Sequence, residues 1–516
     1  MKLNPVSVRW ALGSLKRFGD TDLFPHPIEL DVVCADVEAA VSLISEIDLS
    51  THIPAAARRF IVPKADLSYR QATQLDPLDS VLLTALVWEF GRSVEDRRRP
   101  RVEHSVFSYR FDPSVDGDLY PRPNAWNEFW QHCHETSKQF PIVLMIDIAD
   151  FYNQISHHTI ENQLIESKWP NQATKLVLRL LESTSAKVSR GIPVGPHWVH
   201  LLAEASLIPI DNSLSVRGLR FARFVDDIVV FLGSDEEARA AVYSLAEILD
   251  KQQRLHLQNA KTRILKANDF RTLCEQMIED RPIDDLERLL VDIIKRHSDG
   301  NPYRIVLLSE LSEEELRAFS VEAIEKILSD YLGVHPPDFI RLRWFLRRLA
   351  QVGHPAGVAF CLLALDQLLP AISDLCQYLI SVGEAGHDVQ WLELGELLLD
   401  ALDHPLVRAN EYFQLSVLAL FARVVQLNHL PALISRYSSA PPFVRREILL
   451  AADAGGGVDW IREQKEQFQS MDQWSRRAFL FAARRLPLDE RRFFLKAVHD
   501  PSTLDQLLIN QAKRGG

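Results

Sequence analysis

Residues Arg223–Phe231 read RFVDDIVVF. Two adjacent carboxylates, Asp226 and Asp227, interrupt an apolar run from Leu219 to Leu232 that is otherwise broken only by Arg220 and Arg223. Short apolar runs bounded by a turn are buried strands, so the pattern predicts a β-hairpin with the acids at its tip. A carboxylate beside such a core is costly unless it meets a cation, and a divalent metal would supply one. The plainer alternative is an Asp-Asp turn on an ordinary hairpin.

A second acid stands upstream, in PIVLMIDIADFYNQISHHTI (Pro141–Ile160). The apolar residues Ile142–Ile146 deliver Asp147 to a strand end, and the turn that follows starts a helix carrying Phe151, Tyr152 and Ile155. Asp147 lies too far before Asp226 for both acids to serve one local salt bridge, and a strand-helix-hairpin crossover would bridge the gap. Alone, such an Asp would be a helix cap. Between the two acid sites, Ser189–Leu214 (SRGIPVGPHWVHLLAEASLIPIDNSL) places Gly191, Pro193, Gly195 and Pro196 in a loop, with a helix over Trp198–Ile210. Small residues there let backbone approach a ligand, although a plain turn explains them as well. After the hairpin the pattern predicts a helix over Asp235–Gln253. LHLQNAKTRIL (Leu255–Leu265) then reads as an alternating strand with Lys261 near its middle.

Towards the N-terminus, amphipathic helices are expected near Val6–Phe18 and Asp36–Ile47. Arg59–Pro63 reads as a short strand followed by a turn and a second strand, with Lys64 and Arg70 on either side of the turn, and a helix over Asp79–Phe90. Two such cations could close over a triphosphate, or stand as solvated loop charges. The basic run EDRRRPR (Glu95–Arg101) fits a solvated loop or a phosphate contact. The turn-rich segment 112–123 reads as a surface loop in which Tyr120 is a mobile hydroxyl.

With 516 residues, 47% hydrophobic and 25% charged, the chain is ordinary globular material with length for two to four domains. It lacks a long uncharged apolar run, and its N-terminus MKLNPVSVRW lacks a signal-peptide core, so a cytoplasmic, non-membrane protein is expected. Five cysteines, Cys34, Cys133, Cys274, Cys361 and Cys376, form no CxxC pair, which argues for buried thiols rather than zinc or disulfides. A net charge of -12 argues against a surface that grips long duplex nucleic acid by general electrostatics. Nucleic-acid contact is then expected in a local basic groove.

The order of these features is that of a polymerase palm with its fingers, and the sequence resembles reverse transcriptases. FVDD (Phe224–Asp227) stands in the place of the family's YxDD box. DIADFY matches its first acidic motif, GIPVG resembles its GxPxG loop, and QNAKT resembles the lysine motif that follows. Within that superfamily the chain is similar to the abortive-infection reverse transcriptases (Abi, AbiK/AbiA-type) of bacterial anti-phage defence. RQATQLDPLDSVLLTAL (Arg70–Leu86), VFSYRF (Val106–Phe111) and Val194 with LLAE carry that likeness. Templated relatives usually carry Gln where Val194 stands, a departure that agrees with the untemplated synthesis of the abortive-infection group. The resemblance covers about residues 25 to 270.

The resemblance implies that Asp147 and Asp226, supported by Asp227 and the Ile148 backbone, hold two magnesium ions, with Mn2+ as an alternative. Two such ions, about 4 Å apart, would activate the attacking hydroxyl and neutralise the leaving pyrophosphate. Lys64 and Arg70 would hold the triphosphate, with Gly191, Pro193 and Lys261 also at the nucleotide. Tyr152 matches the aromatic gate that rejects a ribose 2′-hydroxyl, so dNTPs are the expected substrate. Relatives start DNA on a protein hydroxyl, and Tyr120 and Tyr303 lie on turn-rich segments suited to that. The implied product is single-stranded DNA attached to the protein, and the implied assembly is a homo-oligomer, a trimer or hexamer.

From about residue 275 the chain becomes Leu-rich amphipathic helices with Pro, Gly or Asp breaks, for example Pro337–Val352, Pro405–Val424 and Pro441–Ala452. HPPDFIRLRWFLRRLA, DHPLVRANEYFQLSVLALFA and APPFVRREILLAA read as variants of one unit. The expected fold is α+β: a reverse-transcriptase fingers-palm domain over residues 1–275, then an all-α HEAT-like repeat domain over residues 276–516 replacing the thumb. A bundle without repeat logic is the alternative. The functional alternatives are a templated RNA-dependent DNA polymerase and, in another class, an inactive palm serving as a protein-binding scaffold. Three clustered acids speak against the scaffold.

Overall fold

The computed structural model describes residues 1–21, 23–65, 67–121, 124–278, 284–298, 305–387 and 389–515. The chain divides into two compact units. Met1–Thr21, Cys34–Arg59 and Thr73–Arg281 form the first, and Asp22–Val33, Phe60–Ala72 and Pro282–Gly516 form the second. The expected division at 275/276 therefore differs in two segments, because residues 22–33 and 60–72 group with the C-terminal helices. Strands β1 (Arg58–Ala65) and β2 (Ser68–Gln74) form the hairpin on the second of these segments.

The first unit is built on a four-stranded antiparallel sheet of β3 (Ile142–Asp147), β4 (Arg220–Phe224), β5 (Asp227–Leu232) and β6 (Arg263–Lys266), in the order β4-β5-β3-β6. Alternation sends Val143, Ala222, Val229 and Phe231 to one face. There they pack with Phe129, Trp130 and Cys133 of the Ala125–Ser137 helix and with Phe270 and Cys274 of the Ala267–Ile278 helix. The Val199–Val216 helix follows the Gly-Pro loop and is buried along most of its length. Asp235–Gln253 forms the expected helix, its Ser234 side chain accepting from the Glu237 amide as an N-cap.

The strand expected over Leu255–Leu265 is shorter. The Ala149 amide donates to His256 O (2.9 Å) and the Gln258 amide to Asp147 O (2.8 Å), so residues 256–258 cap the end of β3. The chain then curls, with the Lys261 and Thr262 amides both donating to Gln258 O. Lys261 thus closes a one-turn 3-10 helix, Asn259–Lys261, ahead of β6.

In the second unit the helices Phe339–Val352, Ile372–Glu384, Glu411–Arg423, Pro442–Ala454, Gln473–Ala482 and Thr503–Arg514 pack each on the next. The helix expected over Pro405–Val424 is split into Pro405–Arg408 and Glu411–Arg423, because the Asn410 side chain accepts from the Tyr412 amide and caps a new start. The β1–β2 hairpin belongs here through its apolar side: Phe60 packs against Phe24 and Phe443. Its backbone is also held, since Arg343 Nη2 donates to Pro63 O (3.0 Å) and Asn410 Nδ2 to Ile61 O (3.0 Å). Among the described residues no single helix is long and apolar enough to cross a membrane, and all five cysteines are buried.

Candidate active site

The antiparallel register sets Asp147, the last residue of β3, directly opposite Asp227, the first of β5. Opposed residues share a face with Cβ atoms about 5 Å apart, close enough for like charges to repel. Asp226 sits beside them in the two-residue tip between Phe224 and Asp227, which pair across the hairpin. The Ile148 amide donates to Asp226 O (3.2 Å) and ties the end of β3 to that tip. The other tip residue, Val225, has φ +53. A β-branched side chain in the left-handed region is strained by about 1–3 kcal/mol, and such strain persists only where the surroundings impose it.

Burial, and then the neighbouring Asp226 and Asp147 charges, push the Asp227 carboxyl up to about 7, against the opposing pull of Lys261. Lys261 Nζ donates to Asp147 Oδ2 (2.5 Å). Partial burial works against the Lys261 charge, but this hydrogen bond and the three carboxylates outweigh it and raise its pKa. One ammonium facing three carboxylates leaves an excess of negative charge at the strand ends.

What imposes the turn is a buried ionic network. Arg223 of β4 has a fully buried side chain and uses all five of its N–H donors. Nε and Nη2 reach the two oxygens of Asp211 (both 2.7 Å); Nη2 and Nη1 reach Glu204 (2.9 and 3.3 Å); Nη1 also donates to Val225 O (3.0 Å). Ser108 Oγ accepts from the Val225 amide (2.9 Å) and donates to Glu204 Oε1 (2.5 Å). Arg98, within the run expected to be solvated or phosphate-bound, is instead buried. It donates to Glu95 (2.9 Å), Glu204 (2.6 Å) and the carbonyls of Ser108 and Tyr109 (both 2.7 Å). The sequence reading missed this network: its only signal was Arg223 and Glu204 inside apolar runs, where a charge needs a buried partner.

The Gly-Pro loop packs on the segment bearing Tyr152. The Gly191 amide donates to Ile155 O (2.8 Å), the Ile192 amide to Tyr152 O (2.9 Å), and Pro193 is buried. Gly191 has φ +94, and a Cβ there would meet Asn153 O at 3.3 Å, so both conformation and space favour glycine. The Tyr152 hydroxyl is hydrogen-bonded to His200 Nδ1 (2.7 Å), and the His200 ring stacks on Tyr109 at 3.8 Å. Tyr120 is not a mobile hydroxyl. Its oxygen accepts from the Leu201 amide (3.0 Å), its ring packs on Tyr109, and burial drives its pKa well above the ordinary value. Tyr303 lies outside the described residues. The first unit thus brings together Asp147, Asp226, Asp227 and Lys261, with the Ile148 backbone at the strand end. Lys64 and Arg70 belong to the second unit, on the β1–β2 hairpin.

Among the described residues no group of three or more His, Cys, Asp or Glu side chains is arranged to hold a metal ion unaided. Magnesium does not require one, since it is commonly bound by one or two carboxylates completed by water and substrate phosphates. The hard oxygen donors of Asp147, Asp226 and Asp227, with their excess negative charge, fit such an ion.

Residues 62–277 match the family model described as reverse transcriptase (RNA-dependent DNA polymerase). The chain therefore carries a reverse transcriptase domain, a nucleotidyltransferase of the polymerase type acting on nucleotides and nucleic acid. No curated protein matches the chain. Among solved structures, telomerase from Candida albicans in complex with a fragment of telomeric RNA is similar at 10% identity and a TM-score of 0.32, covering 78% of this chain and 67% of that one. That likeness is too distant to assign roles.

Proposed function

We propose that the protein makes DNA from dNTPs at the Asp147–Asp226–Asp227 strand ends, without a template and from a protein hydroxyl, in abortive-infection defence against phage. The observation that carries the polymerase reading is the register setting Asp147 opposite Asp227 with Asp226 in the adjoining tip. Magnesium, when bound, would supply charge neutralisation for the attacking hydroxyl and the leaving pyrophosphate. Asp147 and Asp226, with Asp227 and the Ile148 carbonyl, would hold it, and Lys261, hydrogen-bonded to Asp147, would trade that bond for a substrate phosphate oxygen. Tyr152, pinned through His200, would pack below the sugar. Lys64 and Arg70 remain the proposed triphosphate cations on the order of motifs alone. The untemplated reading rests on Val194 and the abortive-infection resemblance, as do the oligomer and the HEAT-like repeat assignment, which the successive packing of the C-terminal helices supports. Priming by Tyr120 would require its hydroxyl to leave the Leu201 amide.

The test supplies labelled dNTPs and magnesium to the pure protein with no template or primer. Label that migrates with the denatured protein until protease is added is expected. Label that appears only with an annealed RNA template and primer favours the templated alternative, to which the family model's RNA-dependent activity points.

A further inference from the structure

We propose that Arg223, working with Ser108 and Glu204, is a positioning residue that fixes the acid-bearing turn in its metal-binding geometry. The proposal rests on the metal-dependent reading of the site. Both backbone polar groups of Val225 end on this network, the carbonyl on Arg223 Nη1 and the amide on Ser108 Oγ. Val225 is the strained residue of the tip, and Asp226 is its neighbour. Holding the amide and the carbonyl of one residue fixes the two peptide planes that flank it, and so sets the direction in which the following carboxylates project. A charge network serving stability alone would have no need of the turn, since apolar side chains of similar size fill such an interior at least as well. Glu204 Oε2 also accepts from Arg98 Nη2 (2.6 Å), so a second buried cation holds the carboxylate that the clamp uses. Lysine cannot replace Arg223, because three donors on one nitrogen cannot reach Asp211, Glu204 and Val225 O together.

The experiment uses the full chain and reads binding rather than turnover: Mn2+ is titrated without nucleotide and followed by electron paramagnetic resonance, with Asp226→Ala identifying the signal from this site. Arg223→Lys should raise the half-saturating Mn2+ concentration about tenfold, as loss of a partner behind a metal ligand commonly does. Ser108→Ala removes one end of the clamp and leaves every ion pair in place, so it should fold even if Arg223→Lys does not, with a shift of about fivefold. Restoring the hydroxyl with Ser108→Thr should recover most of the loss. Arg446→Lys, which breaks the buried fork of Arg446 onto Glu29 in the second unit, should lower the melting temperature without moving the Mn2+ titration. Wild-type Mn2+ affinity in folded Ser108→Ala overturns the positioning role while leaving the metal site intact. A wild-type protein that shows no Mn2+ signal dependent on Asp226 overturns the metal reading, and this proposal with it.

Discussion

Each unit buries an arginine against carboxylates, and the two differ in which backbone carbonyl the guanidinium also reaches. In the second unit Arg446 forks onto Glu29 (both bonds 2.8 Å) and closes on the backbone carbonyl of Trp474 (3.0 Å). It staples the Ile28–Ala35 helix, which bears Glu29, to the helical array. In the first unit Arg223 also donates to the Val225 carbonyl, in a strained turn that leads into two acids. The same chemistry holds a segment in one place and aims a loop in the other. Burial alone therefore says little about the role of an ion pair, and the identity of the final acceptor says more.

The sharpest way to separate the two is to remove the acids that only one of them supports. Asp226→Ala or Asp147→Ala should lower nucleotide incorporation about a thousandfold or more, the cost of several kcal/mol of charge stabilisation, while unfolding remains cooperative. Incorporation at the parental rate by either variant would remove the site assignment and, with it, the contrast. The second unit answers to the opposite test. Arg446→Met leaves Glu29 buried without its hydrogen-bonded partner and should cost about 3–5 kcal/mol in denaturant unfolding, and adding Glu29→Leu should restore most of it. A change in metal requirement in the double variant would show that the staple also aims something.

Smaller effects sharpen the contrast within the first unit. Tyr152→Ala should narrow the preference for dNTPs over NTPs by about tenfold, read as a ratio of kcat/KM, because the ring would no longer occupy the space below the sugar. A parent enzyme that already uses both equally well would refute the gate. The smallest effect is on stability against pH. Asp227 is held near 7 in the folded chain, above its ordinary value of 3.8, so its favourable contribution is complete below about 4 and is lost as pH rises through about 7. In metal-free buffer Asp227→Asn should match the parent near pH 4 and melt a few degrees higher near pH 8. Identical melting curves at both values would mean that the three carboxylates do not repel one another as their register implies.

The hairpin, the strand ending at Asp147, the Gly-Pro loop and the Asp235–Gln253 helix were legible because their signals are local: apolar runs of strand length, glycine and proline at turns, a cap before a helical period. The acids could be placed at strand ends for the same reason. The pairing of Asp147 with Asp227 was decided only by tertiary register, as was the route of residues 256–262, where backbone bonds to the end of β3 override an alternating pattern and bring Lys261 to Asp147. Arg98, Ser108, Glu204, Asp211 and Arg223 are spread along the chain, and nothing within a helical or strand period links them. A buried charge states that it needs a partner but not which one, because that choice is made by the packing of helices and strands against each other. Membership of the β1–β2 hairpin in the second unit was settled in the same way, by Phe60 against Phe24 and Phe443. Local chemistry along the sequence thus determined which elements form and which residues can act. Long-range packing decided which of them meet, because contact energies between distant segments leave no periodic trace in the chain.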